Sequence, residues 1–330
     1  MPKDHDIVAL GEAMVRLSPP NSERLEQATS LDVRVGGAEL NVAVGAARLG
    51  LKTAWISKLP ENPLGRFIAN KAREQGVDVS DVAWTKGERA GVYFVEFGAQ
   101  PRASSVLYDR ADSAISKMNA GDFDWRAIFS RARLFHTSGI TPALSTSCAE
   151  ATLEAAKAAR EAGCTVSVDV NYRAKLWSEE EAQRVMTALM EHTDLLITTE
   201  EDTKRVFGIA GADYREIARE LRERFSLKAV AVTLRETVSV WRNRWSAFAI
   251  AGEEVYEAPT YEVEVVDRLG AGDSFTAGFL WGYSQGDIGK GVAYGTAFSA
   301  LKHSMPGDFH WGTLAETAAL VEGGGLRIQR

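Results

Sequence analysis

The chain predicts an α/β fold: a mostly parallel central sheet covered by helices on both faces, with a small antiparallel β lid. Three observations carry that expectation. Short apolar runs alternate with amphipathic, helix-length segments, glycines punctuate the ends of both, and one stretch breaks the alternation with two successive strands.

The opening run Ile7-Val8-Ala9-Leu10 reads as a buried strand that ends at Gly11. Gly36-Gly37 precede a helix over 38–49, on which Leu40, Val44, Ala47 and Leu49 share a face, and Gly50 stops it. A strand over 53–59 and a helix over 62–75 follow, closed by Gly76. The alternation then fails. Residues 91–97 and 104–108 read as two strands joined by a polar turn, with aromatic residues on both and no helix between them. They form the candidate lid, and residues 16–35 supply its other strands.

Strand and helix units resume with a strand over 134–136, a helix over 147–162 ended by Gly163, and a strand over 165–171. Ser178 caps a helix over 179–191. A strand at 195–198, helices at 200–207 and 214–225, and a strand at 229–233 continue the series. Absence of repeats and linkers predicts a single unit over 1–330, with the lid built from about 12–36 and 88–110. Parallel sheets of this kind bind ligands at the carboxyl ends of their strands. The polar residues that follow each strand, Glu12, Asn171, Arg173, Thr199 and Asp202, are therefore candidates for a site.

The 330 residues are 45% apolar and 25% charged, as in ordinary globular proteins, and the net charge of -7 argues against nucleic acid or an anionic membrane as partner. The first apolar run is too short for a signal-peptide core and no other stretch reaches membrane-spanning length, so a cytoplasmic protein is expected. Cys148 and Cys164 offer neither a disulfide framework nor metal-ligand spacing, and read as buried thiols.

The strongest chemical signal is Asp267-Arg268-Leu269-Gly270-Ala271-Gly272-Asp273, followed by Phe275, Phe279 and Leu280 at helical spacing. A small-residue turn feeding a helix leaves backbone N–H groups pointing one way, and with the helix dipole they favour a negative oxygen. A carboxylate beside such an anion hole can accept a proton from an attacking hydroxyl. The same residues also fit a glycine turn with Asp273 as an ordinary N-cap, and physics alone leaves both readings open. The run is neither a Walker A loop nor a dinucleotide fingerprint.

This run resembles the carboxy-terminal signature of the ribokinase-like (PfkB) sugar kinases, and Gly36-Gly37-Ala38-Glu39-Leu40-Asn41-Val42-Ala43 resembles their amino-terminal one. The likeness extends over nearly the whole chain. It implies a ribokinase-like fold, ATP and Mg2+ as cofactors, Asp273 as catalytic base, and the backbone of Gly270, Ala271 and Gly272 as the anion hole. It also implies a homodimer through the lid.

Within that family the segments Gly91-Val92-Tyr93, Leu107-Tyr108-Asp109-Arg110, His136 to Ser145 and Asp169-Val170-Asn171-Tyr172-Arg173 are similar to 2-keto-3-deoxygluconate kinases. That similarity implies a sugar pocket lined by Gly37, Asn41, Tyr93, Tyr108, Arg110, Ile140 and Arg173. A small acidic sugar suits two guanidiniums, so Arg110 and Arg173 are expected to converge on its carboxylate. Fructose, ribose or a stereoisomeric keto-deoxy acid, or a non-catalytic sugar-binding role, are the alternatives. The segment Lys302 to Asp308 is also similar to a subset of these kinases and implies a nucleotide-rim or structural role for His303.

Three positions depart from the family pattern. The expected nucleotide strand runs into Thr233-Leu234-Arg235-Glu236-Thr237-Val238-Ser239, without the usual glycines of the following turn, so Thr233 and Arg235 become the expected contacts. The usual Asn-x-x-Glu reads Thr199-Glu200-Glu201-Asp202, which puts Thr199 at the nucleotide and Asp202 near magnesium through water. Gly270 and Gly272 complete the nucleotide set. Arg268 replaces a common threonine at a position tied to a family monovalent-cation site.

Overall fold

The computed structural model describes residues 3–211 and 213–324; Met1, Pro2, Ala212 and residues 325–330 of the expected unit lie outside them. Strand β1 (His5–Leu10) opens the central sheet, and its side chains alternate between the two faces, Val8 and Leu10 in one core cluster, Ile7 and Ala9 in two clusters on the other side. The chain leaves the sheet as β2 (Met14–Ser18) and β3 (Asp32–Gly36), and returns along it as α1 (Ala38–Arg48). Strand β4 (Thr53–Pro60), helix α2 (Pro63–Glu74) and the edge strand β5 (Val82–Thr85) complete this flank. Asn62 starts α2 by accepting the Leu64 and Gly65 amides, with Pro63 at the first helical position.

After β6 (Val92–Glu96) and β7 (Ser105–Asp109), the alternation resumes with α3 (Trp125–Ser130), β8 (Ala132–Ser138), α4 (Thr146–Glu161) and β9 (Thr165–Asp169). Helix α5 (Glu179–Met190) begins at a reciprocal Ser178–Glu181 capping box, which supports the Ser178 cap read from sequence. Then come β10 (Leu195–Thr198), α6 (Glu200–Phe207), α7 (Tyr214–Arg224), β11 (Ala229–Ser239), β12 (Arg242–Ala251), β13 (Glu254–Glu257) and β14 (Tyr261–Glu264). Helices α8 (Ala271–Ser284), α9 (Ile288–Lys302) and α10 (Leu314–Val321) close the fold.

The central sheet has the order β13-β12-β11-β10-β9-β8-β1-β4-β5, with β14 also beside β12. Every neighbour from β11 to β5 is parallel, and the β12 edge is antiparallel. The second sheet, β3-β2-β6-β7, has antiparallel outer pairs around a parallel β2–β6 contact. Its inner face carries Met14, Arg16, Tyr93 and Tyr108 in register, while Val33, Leu17, Phe94 and Leu107 form one row across the other face.

The structure corrects one local expectation. No turn follows Thr233: β11 continues to Ser239 as one arm of a hairpin with β12, from Ala229 opposite Ala251 to Ser239 opposite Arg242. Both cysteines are buried free thiols, and burial pushes their pKa values up. No helix among the described residues is long and apolar enough to cross a membrane.

Candidate active site

A cavity of about 910 Å3 opens at the carboxyl ends of β9 and β10 and beside the middle of β11, together with the start of α8, and Asp169, Arg173, Thr199, Asp202, Arg235 and Asp273 all line it. Its floor is the glycine run. Gly270 caps α8 at φ +80°, and a Cβ there would sit 2.1 Å from the Asp308 carbonyl oxygen, so only glycine fits both the turn and the approach. The Ala271 amide donates to the Arg268 carbonyl at 3.2 Å, and Ser274 N–H to Gly270 at 2.9 Å. Among the described residues the amides of Gly272 and Asp273 find no protein acceptor, which is the anion-binding end of a helix.

Asp273 is not the cap. Gly270 is, and the Asp273 carboxylate instead accepts Asn41 Nδ2–H at 2.7 Å. Burial pushes its pKa up to about 7, with Asp308 and Glu39 adding to the rise and the Asn41 bond and Arg173 opposing it. The sequence left capping and chemistry open; the geometry leaves the carboxylate free of any capping bond, on the floor of the cavity.

The wall beside it is acidic. Asp169, at the end of β9, is held well above its usual pKa by burial and by Asp273 and Asp202. Asp202 is also raised, chiefly by burial and with Arg173 opposing. Arg173 follows the left-handed Asn171 (φ 38°), which turns the chain sharply after β9 and carries the guanidinium to the cavity, where it donates to the Tyr172 carbonyl at 3.0 Å. Thr199 lines the cavity but spends its hydroxyl oxygen as the N-cap of α6, accepting Asp202 N–H at 3.1 Å. Thr233 and Arg235, both from β11, also line the cavity. Among the described residues no three His, Cys, Asp or Glu side chains gather closely enough to ligate an ion directly.

Of the residues expected around the sugar, Arg173 lines this cavity, Asn41 reaches it through Asp273, and Tyr93 and Tyr108 belong to the second sheet. Gly37 N–H lies 3.4 Å from Asn41 Oδ1, Ile140 N–H donates to Ser138 Oγ at 3.1 Å, and Tyr93 stacks on Tyr108 with ring centroids 5.8 Å apart. Tyr93 is buried, and burial and the neighbouring Asp308 carboxylate hold its pKa well above the usual value. Arg110 does not line the large cavity with Arg173. Its Nε donates to Glu12 Oε2 at 2.8 Å, Nη2 reaches the same oxygen, and Nη1 has no protein acceptor among the described residues. The expected convergence of Arg110 and Arg173 on one point is therefore not built into this arrangement.

Sequence reading missed the roles of three supports, two of them, Glu39 and Arg16, altogether. Glu12 was suspected only for its place after β1; it is a buried carboxylate that holds Arg110 and accepts Ser113 Oγ–H at 2.6 Å. Glu39, inside the first glycine motif, is buried and accepts Ser138 N–H, Ser138 Oγ–H and Thr141 Oγ1–H, tying α1 to the loop after β8. Arg16, on the inner face of β2, bridges Asp267 and Asp308 at 2.6 Å each and is almost wholly buried. Asp267 also accepts the Leu269 and Gly307 amides, so one guanidinium anchors both segments that shape the glycine floor. An inward charged residue on a strand was the one available signal for Arg16. His303 is buried, with Nδ1 2.8 Å from the Ser299 carbonyl and its ring 5.4 Å from Trp245, a structural place at the cavity rim.

Comparison with known proteins agrees with this architecture. Over 98% of its length the chain is 41% identical to a 2-dehydro-3-deoxygalactonokinase of Haloferax volcanii, covering 99% of that protein. It is 32% identical to a 5-dehydro-2-deoxygluconokinase of Shouchella clausii, over 97% of this chain and 96% of that one. A crystal structure of 2-dehydro-3-deoxygluconokinase from Thermotoga maritima superposes with a TM-score of 0.94 at 44% identity, covering 98% of this chain and all of that one. Residues 4–308 match the pfkB family carbohydrate kinase pattern. Two glycine motifs in order, a mostly parallel sheet with a small second sheet, and a carboxylate at an anion-binding helix start thus agree with sequence kinship along the whole length: the chain belongs to the pfkB family of carbohydrate kinases.

Proposed function

We propose that this kinase transfers the γ-phosphoryl group of ATP to the terminal primary hydroxyl of 2-keto-3-deoxygluconate, giving 2-keto-3-deoxy-6-phosphogluconate. The observation that carries the reading is Asp273: a carboxylate with a pKa of about 7, beside two acceptor-free amides, in the large cavity of a carbohydrate kinase. A base with that pKa is half ionised at neutral pH and can take the hydroxyl proton as the bond to phosphorus forms. Asn41 aims the carboxylate. The amides of the Gly270-Ala271-Gly272-Asp273 turn stabilise the negative charge on the oxygens of the transferring group while the bond to the β–γ bridging oxygen breaks and its electron pair leaves with ADP. Thr199, Thr233 and Arg235 take the nucleotide side.

Asp169 and Asp202 fit a divalent cation, because two carboxylates lifted by burial (Asp169 also by Asp273 and Asp202, and Asp202 also by Glu201) gain from a nearby positive charge. They would hold Mg2+ through water, and Mg2+ would neutralise charge on the donor phosphates. On the sugar side Gly37, Tyr93, Tyr108 and Ile140 pack the pocket. Arg110, with Nη1 unused, and Arg173 supply positive charge for a carboxylate-bearing substrate. The keto-deoxy acids named for the Haloferax, Shouchella and Thermotoga proteins support an acidic sugar. The galacto epimer is the second reading, favoured by the Haloferax relative.

ADP release across a panel of keto-deoxy acids, fructose and ribose tests the substrate. The expected result is turnover on 2-keto-3-deoxygluconate well above the neutral sugars; preference for fructose or ribose would reject the acid-sugar reading, and preference for the galacto epimer would move the assignment to it. Asp273→Asn should lower kcat by about 10²–10⁴-fold with sugar affinity kept, as loss of a general base does. Near-normal turnover in that variant would remove Asp273 from the role.

A further inference from the structure

We infer that Arg235 and Arg268 form a two-guanidinium clamp for the terminal phosphates of the donor, replacing the glycine turn that β11 lacks. This rests on the kinase reading above and extends it to how the polyphosphate is recognised.

The backbone beyond Val232 is the wrong shape for a phosphate cradle. A glycine turn presents successive N–H groups that converge on one oxygen. Here residues 233–239 are extended and paired with β12, Thr233 opposite Ala247 and Glu236 opposite Arg244. An extended strand presents alternate amides about 6.8 Å apart along one edge, too widely spaced to converge. Convergent donors on this wall therefore have to come from side chains.

Five arginines line the cavity: Arg173, Arg205, Arg235, Arg244 and Arg268. Arg205 is paired with Glu201 at 2.6 Å, and Arg244 with Glu236 and Glu262 at 3.5 and 3.7 Å. Arg173 donates to its neighbouring carbonyl and faces the carboxylates of the acidic wall. Only Arg235 and Arg268 have neither a carboxylate nor a hydrogen-bond partner among the described residues.

Those two are brought together by the fold. Arg235 lies directly opposite Trp245 across the hairpin, so both project from the same face. Trp245 packs on His303, and the His303 carbonyl accepts the amides of Val266 at 2.8 Å and Asp267 at 3.2 Å, the residues just before Arg268. Arg268 stands two residues ahead of Gly270, and its backbone is pinned by the Arg16–Asp267 bridge. Partial desolvation and then the nearby Arg268 hold the Arg235 pKa below its usual value, with Glu201 opposing, and burial, with Lys302 and both guanidiniums adding to it, holds His303 down to about 4. Two unpaired like charges beside an anion-binding helix start cost free energy unless an anion bridges them. A terminal diphosphate, with oxygens to match two forks, is such an anion.

The test is calorimetric titration of AMP, ADP, ATP and inorganic tripolyphosphate, with Mg2+ and without sugar, into wild type, Arg235→Met and Arg268→Met. ATP and tripolyphosphate should weaken by roughly ten- to a hundred-fold in each variant, the loss expected for charge-assisted hydrogen bonds. AMP, which lacks the terminal phosphates, should barely change. Arg268→Lys should fall between, keeping charge and losing the fork. In thermal scans without ligand, both Met variants should melt at or above the wild-type temperature, because a repulsion has been removed. ATP affinity within about threefold of wild type in both variants, under half of one tenfold step, would overturn the clamp. So would equal losses for AMP and ATP, or a clear drop in melting temperature, which mark a scaffold role. Because no sugar is present, a failed sugar panel with intact phosphate-chain discrimination would reject the substrate reading and leave the clamp standing.

Discussion

Lifting the Asp273 carboxyl to about 7 places its titration within the working pH range, and activity and stability then respond with opposite signs. The base works only when ionised, so kcat/KM for the sugar should rise with pH through about 7 with a log slope near one, then level. A profile flat from pH 5.5 to 8.5 would count against an Asp273 base. For stability, the folded carboxyl binds its proton more tightly than an unfolded aspartate of pKa 3.8. Its contribution is whole below the unfolded value and is lost as pH rises through the folded one. Asp273→Asn removes that loss, so its melting temperature relative to wild type should climb from pH 4 to pH 7 and stay high above it; a constant difference would deny the raised pKa. Sequence placed this residue in an anion-binding run but could not separate cap from base. Capping depends on which residue takes the left-handed turn, and that was decided by Asp308 packing under Gly270.

Strand β2 shows how an element can carry the load between the two sheets. Met14 and Arg16 face inward while Val15 and Leu17 face the other way, so the strand delivers one guanidinium to two carboxylates from segments far along the chain. Arg16→Met should destabilise the fold by about 3–5 kcal/mol in urea unfolding, since it leaves Asp267 and Asp308 buried and unpaired. Arg16→Lys should not recover it, because one ammonium cannot span both partners. A change under about 1 kcal/mol, the worth of an exposed pair, would show that the bridge is not what holds the second sheet. The sequence reading placed lid strands within 16–35 without bounding this one, which starts at Met14, and its partners were not readable at all, because ion pairing at this sequence separation leaves no local trace. The length of β11 was misjudged for a related reason. Thr233 to Ser239 is polar and suggests a turn, yet pairing with β12 satisfies its backbone and draws it out as a strand.

The row Val33, Leu17, Phe94 and Leu107 gives the molecule an apolar outer stripe on its second sheet, with Val33 and Leu107 more than half exposed. A second copy of the lid would cover it, and we propose a homodimer through this face, as the family resemblance implies. Light scattering at micromolar concentration should give twice the 35.9 kDa chain mass, and Leu107→Glu should return the monomer; a wild-type monomer would reject the assembly. Much of this molecule is written locally. The strand–helix alternation, both glycine motifs, the lid strands and the identity of Asp273 follow from period, turn chemistry and motif, all of which act over a few residues. The pKa of Asp273, the capture of Arg110 by Glu12, the Arg16 bridge and the meeting of Arg235 with Arg268 do not. Each depends on desolvation or on charges from distant segments, and these exist only once the sheet and α8 have closed around the cavity.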